Sequence, residues 1–145
     1  MTRDPDLYGD DALAERLLRD TEVWVVAGLS SNPSRDAFGI ARLLQSRGKR
    51  IVPVHPRAET VHDETGYASV ADAAFAVGPI DVVDCFVNST RVGAVVDQAI
   101  AIGAKAVWMQ LEVIDEAAAL RAREAGLLVV MDRCPAIEWR RAEMA

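Results

Sequence analysis

The chain has 145 residues, with 16 Lys and Arg against 22 Asp and Glu, which gives a formal net charge of −6 at neutral pH. This charge excludes a protein that holds nucleic acid by its phosphates, because such binding needs a cationic surface. Hydrophobic residues make up 51% of the chain, too many for a disordered protein, yet no apolar run approaches the ~20 residues that span a bilayer. We therefore expect one domain, residues 1–145, and a cytoplasmic location, because the acidic, polar first residues do not resemble a signal peptide.

Five short apolar runs follow an opening helix that we predict at about residues 7–20. Their content of Val, Ile, Phe and Trp, with little polar alternation, is typical of strands covered on both faces, as in a parallel sheet. The predicted strands are Val23–Ala27, Ile51–Val54, Val82–Val87, Ala106–Leu111 and Leu127–Met131.

The segments between the strands have the spacing of helices with one buried face. Ser69, with Asp72 three residues later, and Asp115 are predicted N-caps. The alternation predicts an α/β protein with a doubly wound, five-stranded parallel sheet, Rossmann-like, with helices on both faces and strand order 3-2-1-4-5. Ligands of such sheets bind beyond the carboxyl ends of the strands, which we expect here at the switch point between strands 1 and 4.

The loop after the first strand is a candidate anion site. From Gly28 to Gly39 it is small and polar, so that backbone N–H groups and hydroxyls can approach a phosphate at a helix N-terminus, and Arg35 adds a charge. The fingerprint G-x-G-x-x-G is absent, because Ser30 and Pro33 stand in the places of its second and third glycines. A polar turn without a ligand explains this loop equally well.

The loop after the second strand favours a phosphorylated ribose. Val54 is followed by His55, Pro56 and Arg57, where NAD-binding domains carry an acid for the ribose hydroxyls; the first acid here is Glu59. A guanidinium suits a phosphate better than a diol, so the pattern indicates the 2′-phosphate of NADP or the 3′-phosphate of coenzyme A. A solvated Arg57 and a packed His55 are the structural alternative.

Candidates for catalysis are few. Asn88 and Ser89, after the third strand, suit a helix cap as well as a ligand site. Cys134 precedes a helix that starts with proline, but only His55 and His62 could act as its base, so a small buried thiol is the simpler interpretation. The sequence has no paired-carboxylate site, Ser-His-Asp order, P-loop or metal-ligand spacing. This pattern favours a binding protein over an enzyme.

Five sequence blocks carry a family resemblance. They are Gly28–Arg35, Val52–Pro56, Ile80–Asp84, Val107–Gln110 and Val130–Cys134. In order and spacing, from about Glu22 to Arg141, they resemble the small stand-alone CoA-binding proteins, which are similar to the CoA-binding domain of the succinyl-CoA synthetase α subunit. The resemblance implies a Rossmann-like fold that binds coenzyme A or acyl-CoA, with the 3′-phospho-ADP half across strands 1 to 3.

The resemblance also assigns site residues by position. For the nucleotide phosphates it implies Gly28, Ser30, Ser31, Asn32, Pro33 and Arg35. For the adenosine it implies Val54, His55, Pro56 and Arg57, with Arg57 near the 3′-phosphate, and for the pantetheine Val87, Asn88 and Ser89. Family members usually carry Asn in place of His55 and often arginines directly after strand 3, so Arg91 would have to substitute here. The synthetase's phosphohistidine domain has no counterpart, so we expect a small-molecule-binding protein without catalytic activity of its own.

Two alternatives stay open. A small NADP-dependent oxidoreductase would use the same crevice and the same Arg57. A scaffold or regulatory protein with a vestigial nucleotide pocket would bind a partner through the helix that contains Trp139. We expect no nucleic-acid or membrane partner, while the sequence leaves a homodimer or a partner protein open.

Overall fold

The computed structural model describes residues 3–144, so residues 1, 2 and 145 of the predicted domain lie outside the described part. The strands are β1 (Val23–Ala27), β2 (Arg50–Val54), β3 (Val82–Cys85), β4 (Ala106–Met109) and β5 (Leu128–Val130). The helices are α1 (Pro5–Tyr8), α2 (Asp11–Asp20), α3 (Asp36–Ser46), α4 (Val70–Val77), α5 (Val92–Ala101), α6 (Glu116–Glu124) and α7 (Pro135–Met144). All strand pairs are parallel, and the predicted α/β class is confirmed.

The strand order is β2-β1-β3-β4-β5, so the predicted order 3-2-1-4-5 is wrong. β2 lies at an edge, where Pro53 fits because proline has no N–H to donate to a neighbouring strand. The Val54 carbonyl accepts the Gly28 N–H on the β1 side at 2.8 Å, whereas the Pro53 carbonyl accepts the Tyr67 N–H on the outer side at 2.9 Å. The predicted order would place β2 inside the sheet, with Pro53 facing a strand to which it cannot donate.

Helices cover both faces of the sheet. α2, α3 and α7 pack on the face that carries Trp24 and Trp108, whose ring centroids are 5.7 Å apart. α1, α4, α5 and α6 pack on the other face. The chain passes from β1 to β2 through α3 on the first face and from β2 back to β3 through α4 on the second. The switch point therefore lies between β1 and β3, and the predicted location between strands 1 and 4 is wrong.

The helix predicted at about residues 7–20 is two helices. Gly9, with φ +76°, separates α1 from α2; glycine adopts this left-handed conformation without strain. A Cβ at Gly9 would also approach the Val129 carbonyl oxygen to 3.0 Å. Asp10 then caps α2, because its carboxylate accepts the Leu13 N–H at 2.8 Å.

β3 and β4 end two residues before their predicted ends at Val87 and Leu111. Beyond β4 the Gln110 carbonyl accepts the Val113 N–H at 2.8 Å, and Glu112 has φ +68°, so the chain turns away from the sheet. Within residues 3–144 no helix has the length and apolar character needed to cross a bilayer.

Candidate functional site

A groove of about 1120 Å³ runs along the carboxyl ends of β2, β1, β3 and β4. We call it the rim groove. Its walls come from the loops that follow these four strands and from the first turns of α3, α4 and α5. A cleft of this size accommodates a drug-sized or cofactor-sized ligand.

Gly28 brings the backbone of two strands together at the floor of the groove. Its φ is +96°, and a Cβ there would lie 3.0 Å from the Phe86 carbonyl oxygen. The Gly28 N–H bonds to Val54, and the Phe86 N–H bonds to the Ala27 carbonyl at 2.9 Å. A side chain at Gly28 would therefore both strain the backbone and collide with the chain that follows β3.

Two helices start at the groove without a side-chain cap. The N-cap residues of α3 and α5 are Arg35 and Arg91, and neither makes a side-chain hydrogen bond to its helix. By contrast, the caps predicted at Ser69 on α4 and Asp115 on α6 are confirmed, with acceptor distances of 3.1 and 3.0 Å to backbone nitrogens. Within the described residues, no side chain accepts from the first N–H groups of α3 and α5, at the positive ends of two helix dipoles. The Arg35 carbonyl accepts the Phe38 N–H at 3.1 Å and the Asn88 carbonyl accepts the Val92 N–H at 3.0 Å, so the N–H groups of Ala37 and Gly93 are the ones left for a ligand.

Side-chain charges of both signs line the rim groove. Arg35 and Arg91 provide cations beside the two open helix starts. Asp36, the first residue of α3, and Glu112, after β4, place carboxylates on the same walls. An anion bound at the helix starts would gain from the arginines and the N–H groups and would be repelled by Asp36.

The polar residues of the β1 loop bond mainly to one another. The Asn32 side-chain oxygen accepts from the Ser34 N–H at 3.0 Å and from the Ser34 hydroxyl at 2.7 Å. Ser30 is 6% exposed, and its hydroxyl oxygen accepts the Asn32 N–H at 3.3 Å. Ser31 donates to a Glu59 carboxylate oxygen at 2.6 Å. These bonds fix the loop's shape and keep the hydroxyls of Ser30 and Ser31 out of the rim groove.

Arg57 lies outside the groove wall. Its guanidinium is paired with the Glu59 carboxylate at 3.2 Å, and its side chain is 67% exposed. The hydrogen bond from Ser31 and the charge of Arg57 hold the pKa of Glu59 below its ordinary value. A phosphate at Arg57 would therefore have to compete with Glu59 for the guanidinium.

His55 and Ser89 make local bonds. The Nδ1 of His55, which lines the groove, accepts the Arg57 N–H at 3.2 Å. Among residues 3–144 no carboxylate is bonded to this imidazole. The Ser89 hydroxyl donates to the Glu112 carbonyl at 3.1 Å and accepts the Ile114 N–H at 2.9 Å, so it ties the loop after β3 to the loop after β4.

The structure thus brings part of the predicted site together. The predicted residues that line the rim groove are Gly28, Arg35, Val54, His55, Pro56, Val87 and Asn88. Those that do not line it are Ser30, Ser31, Asn32, Pro33, Arg57 and Ser89. Sequence reasoning missed the wall that the start of α4 and one face of α5 supply, notably Ala68, Ala94 and Gln98. The start of α4 was recognisable from its Ser69 cap, but the wrong strand order hid its position beside the groove.

Two buried polar groups have no partner among the described residues. Asp84 is fully buried on β3, between Val26 of β1 and Trp108 of β4, and neither carboxylate oxygen has a hydrogen-bond partner among the described residues. Burial raises its pKa well above the ordinary value, so the carboxyl favours the neutral form. The Oε1 of Gln110, just beyond β4, is also buried without a partner.

Comparison with known proteins gives consistent matches over most of the chain. A family model described as a CoA binding domain matches residues 22–140. A hypothetical protein from Pyrococcus horikoshii OT3 is 35% identical, with 97% of each chain covered and a TM-score of 0.84. The uncharacterized protein YneT of Bacillus subtilis is 29% identical over 120 residues, 83% of this chain and 87% of YneT. In the dinucleotide forming acetyl-coenzyme A synthetase 1 of Ca. Korarchaeum cryptofilum, 27% of the enzyme matches 81% of this chain at 25% identity and a TM-score of 0.67.

Proposed function

This chain belongs to the CoA-binding domain family, and from that premise we propose that its rim groove binds coenzyme A or acyl-CoA through the 3′-phospho-ADP half. The diphosphate lies between the open starts of α3 and α5. The adenosine lies towards the end of β2, against His55 and Pro56. The pantetheine arm leaves past Val87 and Asn88 after β3.

The observation that carries this proposal is the pair of uncapped helix starts on one groove. Most helix N-termini need an acceptor for their first N–H groups, and α4 and α6 obtain one from Ser69 and Asp115. α3 and α5 have Arg35 and Arg91 at that position, which can only donate. A diphosphate supplies acceptors to both helices and pairs with both guanidiniums at once.

Local attraction has to overcome the negative charge of the whole protein, which is −6. Each exposed helix start contributes about 0.3–1 kcal/mol to binding an anion. A charge-assisted hydrogen bond to Arg35 or Arg91 adds about 1.5–3 kcal/mol. Because the opposing charges are spread over the surface and screened by salt, these local contacts favour an anion at the helix starts.

We assign the protein a binding role without chemistry of its own. Two observations support this. The Nδ1 of His55, the one histidine on the groove, is bonded to the backbone of its own turn. The second histidine, His62, has its Nε2 2.8 Å from the Phe38 carbonyl and packs against the Phe38 ring at a tilt of 53°. Neither ring is oriented by a carboxylate in the described part of the chain, as a general base would be.

Calorimetric titration of the intact chain with CoA, dephospho-CoA and NADP tests this function. CoA should bind with the highest affinity, and dephospho-CoA more weakly, because it lacks the 3′-phosphate. Preferential binding of NADP would instead support the small oxidoreductase. A melting temperature unchanged by millimolar CoA would refute the proposal, because a ligand that binds the native state must raise its stability.

A further inference from the structure

Glu112, just after β4, holds a backbone conformation that side chains rarely adopt. Its φ of +68° lies in the left-handed region, which glycine enters freely and a residue with a Cβ enters at a cost in stability. Elsewhere the chain meets the same requirement with glycine, as at Gly9 and Gly28. A strained residue that is kept at a binding groove is an indication of function. Glu112 lines the rim groove, so its side chain is a candidate for ligand recognition.

The loops on either side fix the backbone of Glu112. Its N–H donates to the Oδ1 of Asp132, after β5, at 2.7 Å. Its carbonyl accepts from the Ser89 hydroxyl, after β3, at 3.1 Å. Asp132 also has a positive φ, +60°, and its other carboxylate oxygen is paired with Arg3. Both polar groups of the Glu112 main chain are therefore anchored, which fixes the direction in which its exposed side chain leaves the backbone.

Building on the proposed CoA binding, we propose that Glu112 determines which acyl group the rim groove accepts. It selects CoA thioesters whose acyl group carries no negative charge and disfavours those whose acyl group ends in a carboxylate. The Glu112 carboxylate repels a second carboxylate at this end of the groove, whereas a neutral acyl group of the same size meets no such repulsion. The selection is a matter of binding alone, and no bond forms or breaks.

The acyl end of the ligand lies within reach of Glu112. The proposed diphosphate site lies at the end of β1, and β4 is two strands away, which is about 10 Å at a strand spacing of about 4.8 Å. From the phosphate oxygen to the sulfur the pantetheine arm has about a dozen bonds, the length of about four extended residues, or about 14 Å. An arm that leaves past Val87 and Asn88 therefore carries its thioester to the end of β4.

Glu112 is the charged side chain that an acyl group meets there. The arginines and carboxylates that line the rim groove are Arg35, Asp36, Arg91 and Glu112. The first three lie at the starts of α3 and α5, beside the proposed diphosphate. Within residues 3–144 no cation pairs with the Glu112 carboxylate. Two like charges about 4 Å apart in water lower affinity about fivefold, and more where a groove excludes water.

Calorimetric titration of the intact chain with malonyl-CoA and isovaleryl-CoA tests the proposal. The two acyl groups have nearly the same shape, but the first ends in a carboxylate and the second in an isopropyl group. The ratio of their dissociation constants measures the preference for the neutral acyl group. Glu112→Gln removes the charge and keeps the size of the side chain. At low salt this variant should lower the ratio about fivefold or more.

Two further variants complete the test. Glu112→Gly removes the charge and also the backbone strain, so it should lower the ratio as Glu112→Gln does and raise Tm by about 1–4 °C. Glu124→Gln is the matched control, because it removes an exposed carboxylate at the end of α6, outside the groove. It should leave the ratio of dissociation constants unchanged.

The outcomes separate this inference from the function on which it rests. Absence of calorimetric CoA binding would refute the proposed function. Normal CoA binding with an unchanged ratio in Glu112→Gln would refute selection by Glu112 and leave the proposed function standing. An equal gain in affinity for both thioesters would also refute it, because Glu112 would then face the diphosphate. A Tm that does not rise in Glu112→Gly would refute the strain at this position.

Discussion

Replacing Arg35 with serine should stabilise the protein and weaken its binding of CoA. Arg35 is the N-cap of α3, with φ −89° and ψ 143°, the extended conformation of a capping residue, but its side chain makes no cap bond. A serine hydroxyl there would accept the Ala37 N–H and add about 1 kcal/mol to the free energy of unfolding. For a chain of this size that raises Tm by about 2–4 °C.

The same substitution removes a cation from the groove and occupies an N–H group that the diphosphate would use. Loss of one charge-assisted hydrogen bond costs about 1.5–3 kcal/mol, so the Kd for CoA should rise about 10- to 150-fold. Thermal unfolding and calorimetry on the same preparation measure the two effects. Arg42→Ser, on the exposed face of the same helix, is the matched control: it removes the same charge outside the groove and should lower Tm slightly without changing Kd.

Two results would contradict this reasoning. If Arg35→Ser binds CoA as tightly as the natural chain, the start of α3 is not the phosphate site. If affinity falls without a gain in stability, the helix start was not open.

Three further predictions concern carboxylates and Arg57. Burial raises the folded-state pKa of Asp84, so the natural chain loses stability as pH rises from the ordinary carboxyl pKa to the raised value. The stability of Asp84→Asn relative to the natural chain should therefore increase by about 1.4 kcal/mol per pH unit in that range. Denaturant unfolding at several pH values measures this difference, and a pH-independent difference would show that Asp84 is not buried without a partner. Asp36→Asn removes a negative charge beside the diphosphate, so calorimetry at low salt should show CoA binding about two- to fivefold tighter; weaker binding would place the diphosphate elsewhere. Arg57→Gln should weaken CoA more than dephospho-CoA, and Glu59→Gln, which frees Arg57, should strengthen CoA selectively; equal changes for both ligands would exclude Arg57 from the 3′-phosphate site.

The fold class was predictable from the sequence, and the strand order was predictable in part. The fold class follows from apolar runs that alternate with helical segments, and the family follows from blocks at the correct spacing; both predictions are confirmed. Pro53 also contains the information that β2 is an edge strand, because an interior strand needs the N–H that proline lacks. Giving Pro53 this weight would have produced the correct neighbours for β1 and the correct switch point.

The candidate site was predictable to a smaller extent. That groove residues follow the carboxyl ends of the strands is a rule of the fold, and it located Gly28, His55 and Asn88. The pairing of Arg57 with Glu59 depends on how the turn after β2 directs two side chains. Periodicity and spacing say nothing about that. The same holds for the unpartnered Gln110, whose burial depends on packing between separate elements.

Backbone amide chemical shifts during a CoA titration test most directly whether open helix starts hold the phosphates. We predict that the largest shifts fall on the N–H groups of Ala37 in α3 and of Gly93 and Ala94 in α5. The capped start of α6, at Ala118, should stay unchanged. Saturable CoA binding that leaves the first turns of α3 and α5 unshifted would contradict the account.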